Sequence, residues 1–235
     1  MTPTTILFDK DGTLFDFHAT WSGWVAGMLR DMAQGDAVLE VVLAEALGFD
    51  LATRAFDPAS PVIAGTPFDI ARELIPHLPD PPPLSALVAH LNATAASAPM
   101  AEAVPLATYL NGLRARGLAL GVVTNDAEAP ARAHLEQVGV LEAFGVVVGC
   151  DSGHGAKPAP GPVLAACRAL GAEPRAAVMV GDSLHDLMAG RAAGLRTVGV
   201  LTGLAEREDL APMADVVMAD IGGLPGWLDG LASMR

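Results

Sequence analysis

The chain has 235 residues, a length that fits one or two domains. Hydrophobic residues make up 51% and charged residues 17% of it, which excludes a disordered, low-complexity chain. Fourteen Lys and Arg against 27 Asp and Glu give a net charge of −13, so nucleic acid is an unsuitable partner.

Localisation follows from what the sequence lacks. No apolar run reaches the roughly 18 residues of a membrane span, and the first residues carry no basic signal segment. The two cysteines, Cys150 and Cys167, are too few for a disulfide framework. We therefore expect a cytoplasmic protein without a membrane partner, and the oligomeric state stays open.

The first predicted element is a strand at the apolar run 5–8, which ends at Asp9. Residues 17–97 then favour helices only, over about 21–33, 36–47, 68–76 and 84–96. Such a stretch predicts a small all-helical domain at 17–97, inserted into a larger domain made of 1–16 and 98–235.

Strands and helices alternate in the remainder of the chain. Further strands are predicted at 118–123, 146–148, 177–180, 197–201 and 216–218, and helices at 104–116, 127–138, 160–170 and 183–193. The strands are continuously apolar, which is typical of a parallel sheet buried on both faces. This order predicts an open α/β sheet, in which ligands bind at the carboxyl ends of the strands.

The segment after the first strand carries two carboxylates, Asp9 and Asp11, with Lys10 between them. In extended backbone the two aspartates would face one way and Lys10 the other. A calcium loop also opens with D-x-D, but its sixth position needs Gly and its twelfth needs Glu, and here they are Leu14 and Thr20.

A second acidic segment, with Asp182 and Asp186, follows the strand at 177–180. If the two strand ends are neighbours, four carboxylates converge with Asp9 and Asp11. Two such charges 4 Å apart repel by about 4 kcal/mol near a protein surface, so the cluster needs a cation. Oxygen ligands of this kind suit Mg²⁺, which keeps waters and binds substrate phosphates.

Other strand ends supply groups that suit a phosphate. Thr124 and Asn125 end the second strand with a hydroxyl and backbone N–H groups. Lys157 is one of only two lysines in the chain, and its ammonium is a suitable partner for phosphate oxygens.

Taken together, these motifs resemble the haloacid dehalogenase superfamily of hydrolases, in the subfamily with a helical cap after the first motif. The resemblance spans the whole chain, and it is closest to the phosphoglycolate phosphatase-like group. It implies a Rossmann-like parallel-sheet core with a small all-helical cap domain. The motifs that carry it are Asp9-Lys10-Asp11-Gly12-Thr13-Leu14, Thr124-Asn125, Lys157-Pro158 and Gly181-Asp182 with Asp186.

The resemblance also implies catalytic roles. Asp9 would be the nucleophile that becomes an aspartyl phosphate, and Asp11 would be the general acid and then the base. The Asp9 side chain, the Asp11 backbone carbonyl and Asp182 would hold Mg²⁺, with Asp186 helping directly or through water.

The transferring phosphoryl group would be bound by Thr124 and Lys157, together with backbone N–H groups of Asn125 and Lys10. One departure is that Lys10 stands where relatives commonly carry an apolar residue. Its side chain is expected to point away from Asp9, without loss of activity.

Other chemistries on this scaffold are less compatible with the sequence. Dehalogenases lack the second aspartate, and phosphonatases use a cap lysine, which 17–97 does not contain. A sugar phosphomutase stays an alternative, with His18 as its one supporting residue. A phospho-acceptor signalling module and a non-catalytic binding protein are alternatives from different classes.

The expected substrate is a small phosphorylated metabolite, either phosphoglycolate-like or a sugar phosphate, because a cap excludes large ones. A phosphorylated carboxylic acid would need a cation from 17–97, and we expect Arg72 or Arg54 to be that anchor. The tryptophans Trp21 and Trp24 have helical spacing and favour a role in the core of the inserted domain. His185 is expected to face outward from the metal motif.

Overall fold

The protein is built on a six-stranded parallel sheet of order β3-β2-β1-β4-β5-β6. A computed structural model describes residues 2–233. The strands are β1 (Thr5–Phe8), β2 (Ala119–Val123), β3 (Val146–Val148), β4 (Ala177–Gly181), β5 (Arg196–Val200) and β6 (Val216–Met218). Fold class and strand positions confirm the α/β prediction.

Both faces of the sheet are buried, which explains the continuously apolar strands. Ile6 and Phe8 of β1 belong to one hydrophobic cluster, whereas Leu7 belongs to the cluster on the opposite face. This alternation is the ordinary geometry of a strand, so each face of the sheet receives apolar side chains from every second residue.

Helices cover the sheet and fill the segment between β1 and β2. The helices of that segment are α1 (Phe17–Ala33), α2 (Ala37–Ala46), α3 (Pro61–Ala64), α4 (Pro67–Leu74) and α5 (Leu84–Ala95). Those around the sheet are α6 (Leu106–Ala115), α7 (Glu128–Gln137), α8 (Gly161–Ala169), α9 (Leu184–Ala192), α10 (Arg207–Leu210) and α11 (Leu224–Ser233). None of the helices described within 2–233 is long and apolar enough to cross a membrane.

Residues 17–97, which we call the helical insert, have a hydrophobic core of their own. Its buried residues all lie between Val25 and Leu91. Side-chain caps define the starts of α1 to α4: for example, the Asp16 carboxylate accepts from Ala19 N at 2.8 Å, and Thr66 and Asp69 form a capping box at α4. The insert therefore packs mainly on itself.

The order of the sheet decides which strand ends meet. β1 lies between β2 and β4, with Phe8 in register with Val122 and Val180. Because all the strands are parallel, the loops after these three strands emerge side by side at one edge.

Candidate active site

Three buried carboxylates converge at this edge. One carboxylate oxygen from each of Asp9, Asp182 and Asp186 lies within 4.8 Å of the others. Asp9 follows β1 and the other two follow β4, so the pairing of these strands places them together. The structure thus brings together two acidic segments that are far apart in the chain, at positions 9 and 182.

The Lys157 ammonium lies within this cluster. It donates to Asp9 Oδ1 and Asp186 Oδ1, both at 2.6 Å, and to the backbone carbonyl of Val123 at 2.8 Å. These contacts use all three of its donors. Burial alone would lower the pKa of Lys157, but the carboxylates of Asp186 and Asp9 outweigh it and raise that pKa.

A single ammonium leaves the cluster with excess negative charge. Burial, together with the neighbouring Asp186 and Asp11, raises the pKa of Asp9 to about 7 in spite of Lys157. Burial and electrostatic repulsion from the Asp9 and Asp186 carboxylates raise the pKa of Asp182 well above its ordinary value. The site therefore has unbalanced negative charge and oxygen ligands, the donor set of a hard divalent cation such as Mg²⁺.

Glycines make room for the Asp182 carboxylate. A Cβ at Gly12, whose φ is 72°, would overlap the Asp182 side chain, and a Cβ at Gly203 would overlap Asp182 Oδ2. Thr13 Oγ1 donates to Asp182 Oδ1 at 3.3 Å. The contribution of Gly203, from the loop after β5, was not found from the sequence, because no pattern relates that loop to Asp182.

Asp186 has two structural partners besides its place in the cluster. Its Oδ2 accepts from Ser183 Oγ at 2.7 Å and from Ser183 N at 3.1 Å, which forms a capping box at the start of α9. Its Oδ1 holds Lys157. The helix cap therefore fixes the carboxylate that orients the ammonium.

Asn125 connects the lysine loop to the helical insert. Its Oδ1 accepts from Lys157 N at 2.9 Å, and its Nδ2 donates to Lys157 O at 3.0 Å and to Ala64 O at 2.8 Å. Its side chain is thus occupied, which leaves the backbone N–H for the predicted phosphate contact. Thr124 is buried beside it, and its hydroxyl accepts from Asp126 N at 3.1 Å.

Lys10 does not follow the alternation expected from the sequence. Its fully buried ammonium lies 2.5 Å from Asp11 Oδ1 and 3.0 Å from Asp126 Oδ2, and 5.3 Å from the ring of Trp21. The expectation that Lys10 and Asp11 diverge was wrong, since β1 ends at Phe8 and the backbone turns beyond it. Burial opposes the charge of Lys10, but the two carboxylates raise its pKa.

A buried histidine joins this group to the end of the helical insert. His134 Nε2 lies 2.7 Å from the carbonyl oxygen of Ala95, the last residue of α5. Burial and the charge of Lys10 lower the pKa of His134 to about 4. The imidazole is therefore neutral near pH 7 and donates its Nε2 proton to Ala95.

A cavity lies between the sheet edge and the helical insert. Its sheet side is polar, with Thr124 and Lys157 beside the carboxylates, and its other side is formed by the insert. Both Trp21 and Trp24 line it, in addition to contacting the hydrophobic clusters. His185 lines it as well, so the expectation of an outward-facing side chain was wrong.

The structure does not bring every candidate residue to this cavity. Within residues 2–233, Arg54, Arg72 and His18 are absent from its lining. His18 is exposed and lies 3.5 Å from Ser22 Oγ, and the Arg72 guanidinium lies over the Phe68 ring. The predicted carboxylate anchor thus has no contact with the site in this conformation.

The site is a carboxylate cluster with a buried ammonium at the carboxyl edge of a Rossmann-like parallel sheet. The family model described as haloacid dehalogenase-like hydrolase matches residues 3–194. The chain belongs to this family, and it is therefore an enzyme of the hydrolase class.

The chain is also similar to individual proteins, two in sequence and one in fold. The chain is 34% identical over 241 aligned residues to a phosphoglycolate phosphatase of Rhodospirillum rubrum, covering 96% of this chain and 91% of that protein. It is 40% identical over 101 residues to the pyrophosphatase PpaX of Bacillus pumilus, covering 43% of this chain and 47% of that one. The solved structure of a HAD phosphatase from Thermococcus onnurineus has a TM-score of 0.67 at 24% identity, covering 96% of this chain and 97% of that one.

Proposed function

We propose that this enzyme is a Mg²⁺-dependent phosphatase that hydrolyses a small phosphomonoester through an aspartyl phosphate on Asp9. The observation that carries the proposal is the meeting of Asp9, Asp182, Asp186 and Lys157 on one side of a single cavity. The name of the Rhodospirillum rubrum relative supports a phosphomonoester as substrate class.

The domain boundaries form part of the same proposal. Residues 1–16 and 98–235 are the catalytic core, and the helical insert at 17–97 is the cap. Support comes from the separate hydrophobic core of the insert and from the cavity that it forms with the sheet edge. A cap in this position excludes water and large substrates from the reacting groups.

In the first step, Asp9 attacks phosphorus and the bond to the leaving oxygen breaks. Asp9 Oδ1 is held by Lys157, which orients the carboxylate and leaves the other oxygen for attack. Asp11 donates a proton to the leaving oxygen, and Lys10 fixes the position of its carboxylate.

In the second step, Asp11 takes a proton from water, and this water releases phosphate from Asp9. The Lys157 ammonium neutralises charge on the transferring group in both steps. Mg²⁺, held by Asp9 and Asp182 with help from Asp186 and the Asp11 carbonyl, would supply further neutralisation of the phosphoryl oxygens.

The test uses p-nitrophenyl phosphate, whose leaving group needs no protonation. We expect turnover with Mg²⁺, its loss in EDTA, and its recovery on adding Mg²⁺ back. Asp9→Asn should be inactive. Asp11→Asn should still be phosphorylated but should lose its phosphate slowly, so intact-protein mass spectrometry should detect a phosphoryl adduct.

The outcomes separate the alternatives. Turnover by Asp9→Asn, or an Asp11→Asn adduct that persists when Asp9 is also replaced, would refute Asp9 as the nucleophile. A long-lived adduct on the unmodified protein without turnover would indicate a phospho-acceptor module instead. Absence of both turnover and adduct with every phosphate ester would indicate a binding protein.

A further inference from the structure

We infer that the leaving group of the substrate is a neutral alcohol that carries a further hydroxyl group, and not a second anion such as a carboxylate. The inference rests on the proposed phosphatase function and concerns the part of the cavity beyond the phosphate. It follows from the charges, the apolar surface and the unpaired polar atoms that the cap contributes.

The charge of the cavity is unfavourable for a second anion. Five carboxylates line it and one ammonium, that of Lys157, is already bonded to two of them. Among the described residues, no arginine lines this cavity. The proposed divalent ion and the Lys157 ammonium would neutralise the charge of the phosphate and of the carboxylate cluster. No positive group then remains for a carboxylate on the leaving group.

The cap arginines have other surroundings. Arg30 lies 3.9 Å from Glu40 and is exposed, and the Arg72 guanidinium lies 5.8 Å from the centre of the exposed Phe68 ring. Arg54 is exposed in a turn with a φ of 58°. They therefore offer the cavity no positive charge in this arrangement of the cap.

The cap side of the cavity is almost entirely apolar. Its lining includes the side chains of Phe17, Trp21, Trp24, Val62, Ile63 and Ile70. A carboxylate against this surface would lose its hydration without gaining a partner, whereas carbon atoms of an alcohol would gain from the same burial.

Two cap residues of the lining carry polar atoms without a partner. Trp24 Nε1 on α1 and Asn92 Oδ1 on α5 are both buried and make no hydrogen bond in the described structure. A buried donor and a buried acceptor are costly when unpaired. A hydroxyl is both a donor and an acceptor, so a neutral hydroxylated group offers a partner to either atom.

One imidazole of the lining could act differently. His185, from α9 on the core side, is the one histidine among the described lining residues. Its ring N–H is a donor that a carboxylate on the substrate could use, so the experiment includes His185→Gln.

The experiment compares three esters of similar size: phosphoglycolate, 2-hydroxyethyl phosphate and ethyl phosphate. Phosphoglycolate carries a carboxylate where 2-hydroxyethyl phosphate carries a hydroxymethyl group. Ethyl phosphate has a methyl group at the same position. We expect kcat/KM to be highest for 2-hydroxyethyl phosphate. It should exceed the value for phosphoglycolate by at least about 100-fold and the value for ethyl phosphate by about tenfold.

Two variants test the hydroxyl contacts. Trp24→Phe keeps the ring and removes its N–H, and Asn92→Leu removes the amide at similar volume. Each should reduce the preference for 2-hydroxyethyl phosphate over ethyl phosphate to about threefold or less, through KM more than kcat. Arg72→Ala is the matched control and should leave all three values unchanged.

Several results would overturn the inference. One is a kcat/KM for phosphoglycolate equal to or above that for 2-hydroxyethyl phosphate. Another is a selective loss of phosphoglycolate hydrolysis in Arg72→Ala or His185→Gln. A third is an unchanged preference for 2-hydroxyethyl phosphate over ethyl phosphate in both Trp24→Phe and Asn92→Leu. Turnover of p-nitrophenyl phosphate separates the two proposals. It is still observed if only the leaving-group inference is wrong, and it is absent if the phosphatase proposal itself is wrong.

Discussion

His134 predicts a specific dependence of stability on pH. Burial and the nearby Lys10 lower its pKa from 6.5 to about 4 in the folded protein. Asp126 and the hydrogen bond to Ala95 oppose this shift but do not cancel it. The folded protein therefore resists protonation of an imidazole that the unfolded chain protonates readily.

The sign and size follow from proton linkage. The stabilising contribution is fully present above pH 6.5 and declines as the pH falls from 6.5 to 4, because the unfolded chain binds the extra proton there. A pKa of about 4 in the folded protein against 6.5 in the unfolded chain corresponds to about 3 kcal/mol of stabilisation in total, of which about 2 kcal/mol is lost between pH 7 and pH 5.

The measurement is urea unfolding of the wild type and His134→Gln at pH 7, 6 and 5 in EDTA, followed by circular dichroism. Glutamine keeps a donor for the Ala95 carbonyl but has no proton to gain. The wild type should lose about 2 kcal/mol more than the variant between pH 7 and pH 5.

The control is His90→Gln, which removes an exposed histidine from α5. It should keep the wild-type pH dependence. Titrating groups that do not interact with His134 affect all three proteins alike and cancel in the comparison, whereas Asp126 interacts with His134 and is counted with it. Equal pH dependence of His134→Gln and the wild type would refute the reasoning.

Four further changes test the site. Asp9→Asn should reduce phosphate release by at least about 1000-fold with unchanged circular dichroism. Lys157→Met should lower the free energy of unfolding by about 3–5 kcal/mol, since it leaves buried carboxylates unpaired; no loss in urea unfolding would contradict the ion pairs. Asp182→Asn should abolish activation by Mg²⁺ in a titration of activity. Gly203→Ala should raise the Mg²⁺ concentration needed for half-maximal activity by about 10- to 100-fold, whereas Gly112→Ala, which has open space, should not.

The sheet and its acidic edge could be predicted from the sequence because they depend on local patterns. Continuously apolar runs identify strands buried on both faces, and each run ends where polar residues begin. Parallel strands place those ends at one edge, so Asp9 and Asp182 could be expected together before any distance was known.

The surroundings of these residues depend on contacts that no local pattern encodes. Lys10 pairs with Asp126, His134 bonds to Ala95, and Gly203 makes room for a carboxylate from another loop. Each contact joins segments from different parts of the chain, so it exists only because the tertiary fold brings them together.

The sequence by itself determined the family, the order of the motifs and the helical character of the insert. Only the tertiary structure decided which apolar residues face the cavity and where the cap arginines lie. Helical periodicity shows that Trp24 is on a buried face, but burial against neighbouring helices and burial against a ligand cavity produce the same pattern. The position of α1 over the sheet edge is what distinguishes them.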